Sequence, residues 1–193
     1  MGSVFFGGGK IGMEKPLGLP SGYTKLAYIQ SSGTQYINTG VYPTEKTAIE
    51  FKASSEFYAA VTSSAARYGI YLVPTGRIDM AFGTTGYKGS VLTGLSEPTT
   101  VRMENGKIAA NGSEYSFTTQ SAFTISTQLP LFAQNTTLVS GVLYYCKIYD
   151  NGTLIRDFIP CADNNGTVGL YDLVNKQFYG NAGSGTFTGS EVA

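Results

Sequence analysis

Apolar and polar positions alternate along most of the chain in short runs, broken by Gly, Pro, Asn and Ser. Ala48-Ile49-Glu50-Phe51-Lys52-Ala53 places Ile49, Phe51 and Ala53 on one face of a strand. The segment GIYLVPTGRIDMAF predicts a hairpin turning through Pro74-Thr75-Gly76. In that register Leu72 faces Ile78 and Ile70 faces Met80 on an apolar side. Tyr71 faces Asp79 and Val73 faces Arg77 on a mostly polar one. Further on, VRMENGKIAANGSEYSF reads as a three-strand meander with Asn-Gly turns at 105–106 and 111–112. LYYCKIYDNGTLIRDFIPC is a hairpin about a type I′ turn at Asn151-Gly152. LPLFAQN predicts one short buried strand. GLYDLVNKQFYGN predicts a hairpin turning near Asn175-Lys176, and GTFTG closes the chain. Helical periodicity is missing over any long window. The pattern predicts an all-β, two-sheet antiparallel sandwich.

Length adds one domain to this picture, since 193 residues suffice for a core without metal or disulfide staples. Residues 1–18 are Gly-rich, with Val4, Phe5, Phe6 and Ile11 as their main apolar content, and read as an N-terminal arm. The domain itself is expected over 19–193. The opening residues have neither a basic n-region nor an apolar h-region, so no secretory signal is expected there, and release with a particle on host lysis is one alternative route. Formal net charge is zero and no Lys/Arg cluster occurs, so nucleic acid is not an expected partner. No apolar run approaches the ~18 residues of a membrane span.

Candidate chemistry narrows further. The chain has no histidine, which removes Ser-His and Cys-His nucleophile pairs. In the plain two-residue-turn register Cys146 faces Asp157, leaving Cys161 about 13 Å further along the strand, so two free thiols are expected. Glycoside hydrolysis needs two carboxylates flanking the bond. The acidic residues are scattered, with Glu50 and Glu104 the pair that could meet across strands, and solvent-face charge is the expected role. No catalytic residue is therefore assigned. Asp163, Asn165 and Asp172 around Gly166 offer oxygen ligands of the kind calcium takes, but without EF-hand spacing or its closing Glu. Turn-setting is the expected job of these side chains. Sequons at Asn111, Asn135, Asn151 and Asn165 would matter only in a eukaryotic secretory pathway.

A sugar ring has an apolar C–H face and a polar edge, which a tyrosine beside a carboxylate or guanidinium matches. Tyr71, Arg77 and Asp79, near Tyr68 and Tyr87, supply that mixture and form the first carbohydrate-binding candidate. A second row is Tyr145, Lys147 and Tyr149 with Arg156 and Phe158.

The stretch LPSGYTKLAYIQSSGTQYINTG, followed in order by PLFAQN, CKIYDNGTLIRDFIPC and GLYDLVNKQFYGNAGSGTF, resembles the concanavalin A-like (laminin-G-like) jelly-roll domains of phage structural proteins and bacterial surface proteins. The resemblance runs from about residue 19 to the end. It implies a jelly roll in which the first strand pairs near the last, bringing Gln35-Tyr36-Ile37 close to Gly185-Thr186-Phe187. It also implies a non-enzymatic virion protein of the capsid, fibre or tail. Such a protein would contact other virion proteins through the arm, adhere to host-surface glycans and assemble as a homo-oligomer. A purely structural virion subunit and a bacterial cell-surface adhesion module are the alternatives.

Overall fold

The computed structural model describes residues 18–84 and 87–192, Tyr87 by its backbone alone. The arm expected over 1–18 therefore lies outside the described residues apart from Gly18. Strands β1 (Tyr23–Ser32), β2 (Ile37–Asn38), β3 (Thr47–Ser55) and β4 (Phe57–Thr62) open the fold. The hairpin β5 (Arg67–Val73) and β6 (Arg77–Gly83) follows, then β7 (Tyr87–Leu92) and the meander β8 (Thr99–Glu104), β9 (Lys107–Ala110) and β10 (Ser113–Ser116). Three two-residue pieces come next: β11 (Pro130–Leu131), β12 (Ala133–Gln134) and β13 (Thr137–Leu138). The long hairpin β14 (Ser140–Asp150) and β15 (Thr153–Asp163) leads to β16 (Val168–Asp172), β17 (Gln177–Tyr179) and β18 (Thr188–Glu191).

Ten strands form the larger sheet in the order β10-β9-β8-β3-β14-β1-β15-β16-β17, with β18 added on β1 and a direct β14–β15 pairing. Six form the smaller one, β13-β12-β4-β5-β6-β7, while β11 pairs β2 separately. Pairings are antiparallel except β12 with β4, which is parallel. β14 meets β1 at its start, through Ile29↔Leu143, and β15 at its end, through Cys146↔Phe158. β1 reaches the two strands with different ends, Tyr23–Lys25 pairing with β15 and Ile29–Ser32 with β14.

Alternation explains which side each strand buries. Ile49, Phe51 and Ala53 of β3 all face one core, as do Ile70, Leu72, Ile78 and Met80 of the β5–β6 hairpin. The hairpin register is the predicted one, Leu72↔Ile78 and Tyr71↔Asp79. A chain of rings crosses from sheet to sheet: Phe51 to Phe57 at 4.7 Å, Phe57 to Phe132 at 5.0 Å, Phe132 to Phe187 at 5.3 Å. Each fully buried ring or aliphatic side chain contributes roughly 1.5–3 kcal/mol by leaving water. The architecture is all-β and sandwich-like, with both main sheets feeding this core.

Two turns behave as their residues require. Asn151 and Gly152 sit at φ 47° and 78°, and Asn111 and Gly112 at 46° and 86°, the left-handed pairs of type I′ hairpins. The other turn of the meander β8–β9–β10, Asn105-Gly106, uses the left-handed region at Gly106 alone. LPLFAQN departs from expectation. It divides at Phe132, whose φ of 66° swings its ring into the core between Phe57 and Phe187. One half then pairs with β2 and the other with β4.

The opening stretch closes the molecule. Leu26, Tyr28, Ile29 and Gln30 of β1 pair with β18. Beyond β1, Ser184 N–H donates to Thr34 C=O at 3.0 Å and Ala182 N–H to Tyr36 C=O at 2.9 Å. Asn181 ties this crossing, its Oδ1 accepting from Tyr36 N–H at 3.1 Å and its Nδ2 donating to Gly185 C=O at 3.0 Å.

Candidate ligand-binding face

The first candidate site lies on the smaller sheet, and the structure takes it apart. Tyr68 points inward, fully buried against Phe82, with its hydroxyl donating to the Thr47 carbonyl. Burial drives its phenol pKa well up. It offers no surface to a ligand because it shares the core parity of Ile70 and Leu72. Tyr71 and Asp79 do lie on the opposite face, yet they are 5% and 3% exposed. Tyr71 sits in a small outer cluster with Ala60, Ala81 and Tyr58, whose ring stands edge-on at 5.1 Å. Asp79 is gripped by Arg77, Nε to Oδ1 at 2.9 Å and Nη2 to Oδ2 at 3.0 Å, and also accepts from Ser90 N–H. The expectation of a solvated polar row is corrected here: it is a largely covered face, with Arg77 its half-exposed member. The side chain of Tyr87 lies outside the described residues.

The outer face of the larger sheet is different. Across β8, β3, β14 and β15 the register aligns Arg102↔Glu50, Glu50↔Lys147 and Lys147↔Asp157. Neighbouring strands are about 4.8 Å apart, so this is a ladder of alternating charge. Arg102 holds Glu50 at 3.4 Å and Glu104 at 3.3 Å, and its guanidinium lies 4.8 Å over the Tyr149 ring. Tyr145 donates its hydroxyl to Glu50 Oε1 at 3.2 Å. Burial and then the Glu50 charge raise that phenol's pKa.

A bulge in β14 enlarges the face. Leu143 and Cys146 both point into the core, so Tyr144 and Tyr145 both point outward. Tyr144 accepts a hydrogen bond from Ser54 Oγ at 3.4 Å, lies under the Lys52 ammonium at 5.6 Å, and meets Tyr28 edge-on at 6.1 Å. Tyr28, Tyr144, Tyr145 and Tyr149 are all half-buried. Rings and charges there remain open enough to touch a ligand: the Arg102 side chain is 40% exposed and Glu50 26%.

Comparisons of the chain with protein-family models, with curated proteins and with solved structures returned no match. The geometry therefore carries the functional argument.

Of the second predicted row, Tyr145, Lys147 and Tyr149 lie together on this face, whereas Arg156 and Phe158 do not. An extra residue, Ile155, bulges between the pairs Tyr149↔Leu154 and Ile148↔Arg156. Everything beyond it turns over, so Cys146 pairs with Phe158 rather than Asp157, and Phe158 enters the core. Arg156 follows it inward to the edge of the core. Its Nε donates to the Thr39 carbonyl at 2.9 Å and lies 3.6 Å from Asp172 Oδ2. Cys146 and Cys161, three positions past Phe158, consequently lie on opposite faces of the sheet. Both are free and buried. Burial pushes the Cys161 thiol up to about 12 and Cys146 well above the usual range, so neither supplies a thiolate.

The calcium candidates are separated too. Asp163 Oδ1 accepts from Asn165 N–H at 2.9 Å and Thr167 N–H at 2.8 Å, a turn-setting role. Asp172 is fully buried at the far end of β16, accepting from Asp157 N–H and Val174 N–H. Five strand residues, about 16 Å, separate Thr167 from Asp172. Asp163, Asn165 and Asp172 cannot share one ion. Among the described residues no cluster of three or more acidic, Cys or His side chains is placed to hold a metal.

Sequence reasoning missed Tyr28, Tyr144, Lys52, Arg102 and Asp157 as members of the face. The Tyr144-Tyr145 doublet between core positions was the available signal, because two adjacent outward rings require a bulge. Glu50 and Glu104 do meet across strands, but with Arg102 between them.

Proposed function

We propose that this chain is a non-enzymatic, carbohydrate-binding jelly-roll component of a phage particle, and that it adheres to cell-surface glycans through the outer face of the larger sheet. The virion setting, the oligomeric assembly and the docking of residues 1–18 on neighbouring particle proteins rest on the sequence resemblance. The binding face rests on one structural observation: half-exposed tyrosines border an alternating Arg102-Glu50-Lys147-Asp157 ladder. Tyrosine faces suit the C–H side of a pyranose, and the fixed carboxylates and cations suit its hydroxyls. Balanced charge favours neutral glycans over strongly anionic ones. Pairing of β1 with β18 agrees with the closure that the resemblance implies.

A glycan array read with the wild type, Tyr149→Ala and Tyr145→Ala, with and without calcium, tests the reading. Binding should occur without calcium and weaken several-fold in each variant, matching the roughly 0.5–1.5 kcal/mol of one ring contact. Silence of the wild type across the array, together with an oligomer by light scattering, would overturn adhesion. It would make the tyrosine face an interface between copies.

A further inference from the structure

Four Asn-Gly pairs join successive strands: Asn105-Gly106, Asn111-Gly112, Asn151-Gly152 and Asn165-Gly166. In such a pair the glycine nitrogen can attack the asparagine side-chain amide, because glycine has no Cβ to block the approach. The attack needs a side-chain amide free to swing round and a glycine N–H free to lose its proton. Three of the four pairs lack one of these.

Asn105 is held at both ends of its amide, Nδ2 donating to the Gln120 carbonyl at 2.9 Å and Oδ1 accepting from Gln120 N–H at 2.8 Å. Asn111 is held in the same way, Nδ2 to the Ser96 carbonyl at 2.7 Å and Oδ1 from Thr100 N–H at 2.9 Å. At the fourth pair the nitrogen is tied instead, since Gly166 N–H donates to the Asp163 carbonyl at 2.9 Å. Asn151 and Gly152 differ from all three. Both are exposed at the tip of the β14–β15 hairpin. Neither the Asn151 amide nor the Gly152 N–H has a hydrogen-bond partner among the described residues.

Asn111 is the matched control. Its turn has the same left-handed pair of φ angles, 46° and 86° against 47° and 78°. Each asparagine also donates its own N–H at 3.1 Å, Asn111 to the Thr100 carbonyl and Asn151 to that of Lys46. Leaving the turn therefore costs the backbone about the same in both, and only the side-chain tether separates them.

We infer that Asn151-Gly152 is the modification site of the folded chain, where a succinimide forms spontaneously and water opens it to aspartate or isoaspartate. The Gly152 nitrogen loses its proton and bonds to Asn151 Cγ, and the side-chain nitrogen leaves as ammonia. One water then adds across a C–N bond of the ring, and nothing is oxidised or reduced. The isoaspartate product lengthens the main chain of a two-residue turn. Either product puts a new negative charge beside Asp150, two residues from Tyr149.

Hydroxylamine opens the same ring and severs the chain there, so it reads the site directly. At mildly alkaline pH, with the fold verified by circular dichroism, the chain should be cut once, into 1–151 and 152–193. Cleavage at Asn111 should be at least about 10-fold slower, because two amide hydrogen bonds must break first. In strong denaturant all four pairs should be cut at comparable rates. Peptide mapping of protein aged in plain buffer should show the amide-to-acid mass increase at Asn151 ahead of the other three. An uncut folded chain, or native cleavage at Asn111 as fast as at Asn151, would overturn the assignment. So would an equal preference for Asn151 in denaturant, which would trace the selectivity to neighbouring residues in the sequence and not to the fold.

Discussion

Two aspartates on β15 show how far a single residue's fate depends on what its backbone neighbours do. Asp163 accepts two backbone N–H bonds, which hold its carboxyl below the usual range. Asp157, on the ladder, is raised: burial is the main cause, the negative charges of Asp172 and Glu50 add to it, and Lys147 opposes them. A carboxyl whose folded pKa exceeds its unfolded value of about 3.9 binds protons better in the folded state, so stability falls as pH rises through that window. Asp157 is thus mildly destabilising at neutral pH. Asp157→Asn should stabilise the fold at pH 7, by well under about 1 kcal/mol because much of the carboxyl remains in water, and so raise the melting temperature slightly. The gain should shrink as pH drops through the raised pKa and disappear near pH ~3, where both states carry the proton. Melting curves from pH 3 to 8 check the sign; a gain that instead grows toward acid would show that the native carboxylate is favoured by Lys147 more than it is penalised by burial.

At the scale of the element, turn chemistry was legible and bulges were not. The β5–β6 register could be read from the alternation on either side of Pro74-Thr75-Gly76, and the structure reproduces it pair for pair. Asn151-Gly152 set the β14–β15 turn just as plainly. Beyond that turn, Leu154-Ile155-Arg156-Asp157-Phe158 mixes apolar and charged residues in either register, so alternation does not choose between them. Ile155 therefore hid the inward turn of Arg156 and Phe158. Burial of Tyr71 and Asp79 was hidden for another reason, since a strand pattern tells which face a residue takes and not what later covers that face. The bulge has a sharp consequence. Deleting Ile155 leaves Ile148↔Arg156 and Tyr149↔Leu154 as successive regular pairs, so ΔIle155 should still unfold cooperatively, at a cost of about 1–3 kcal/mol for lost packing. Ile159 lies in an unbulged run paired with Tyr171. Its deletion must turn over either Arg156–Phe158 or the segment from Pro160 onward, and ΔIle159 should not fold. Circular dichroism melts of the two deletions decide this; comparable behaviour would mean that β15 re-registers freely.

For the whole molecule, the decisive feature is that both ends of the described chain meet on β1. Its Leu26–Gln30 stretch is flanked on the outside by β18, where Gly189 approaches so closely that a Cβ there would lie 2.6 Å from the Tyr28 carbonyl oxygen. Just before β18, Phe187 enters the core against Phe132. The two contributions are separable. Ending the chain after Phe187 keeps the ring but bares a flat edge of β1, with unpaired N–H and C=O groups ready to recruit another chain. Ending it after Thr186 also leaves a hole beside Phe132, where loss of a buried Phe costs about 3–5 kcal/mol. The first truncation should therefore fold, melt lower and, unless the bulge between Leu26 and Tyr28 guards the bared edge, self-associate as its concentration rises. The second should be largely unfolded at room temperature, since the added loss is a large fraction of the ~5–15 kcal/mol that holds a domain together. Size-exclusion chromatography with light scattering, run beside thermal melts, reads both effects. A first truncation that stays monomeric at every concentration would mean that β1 is guarded by its own twist rather than by β18.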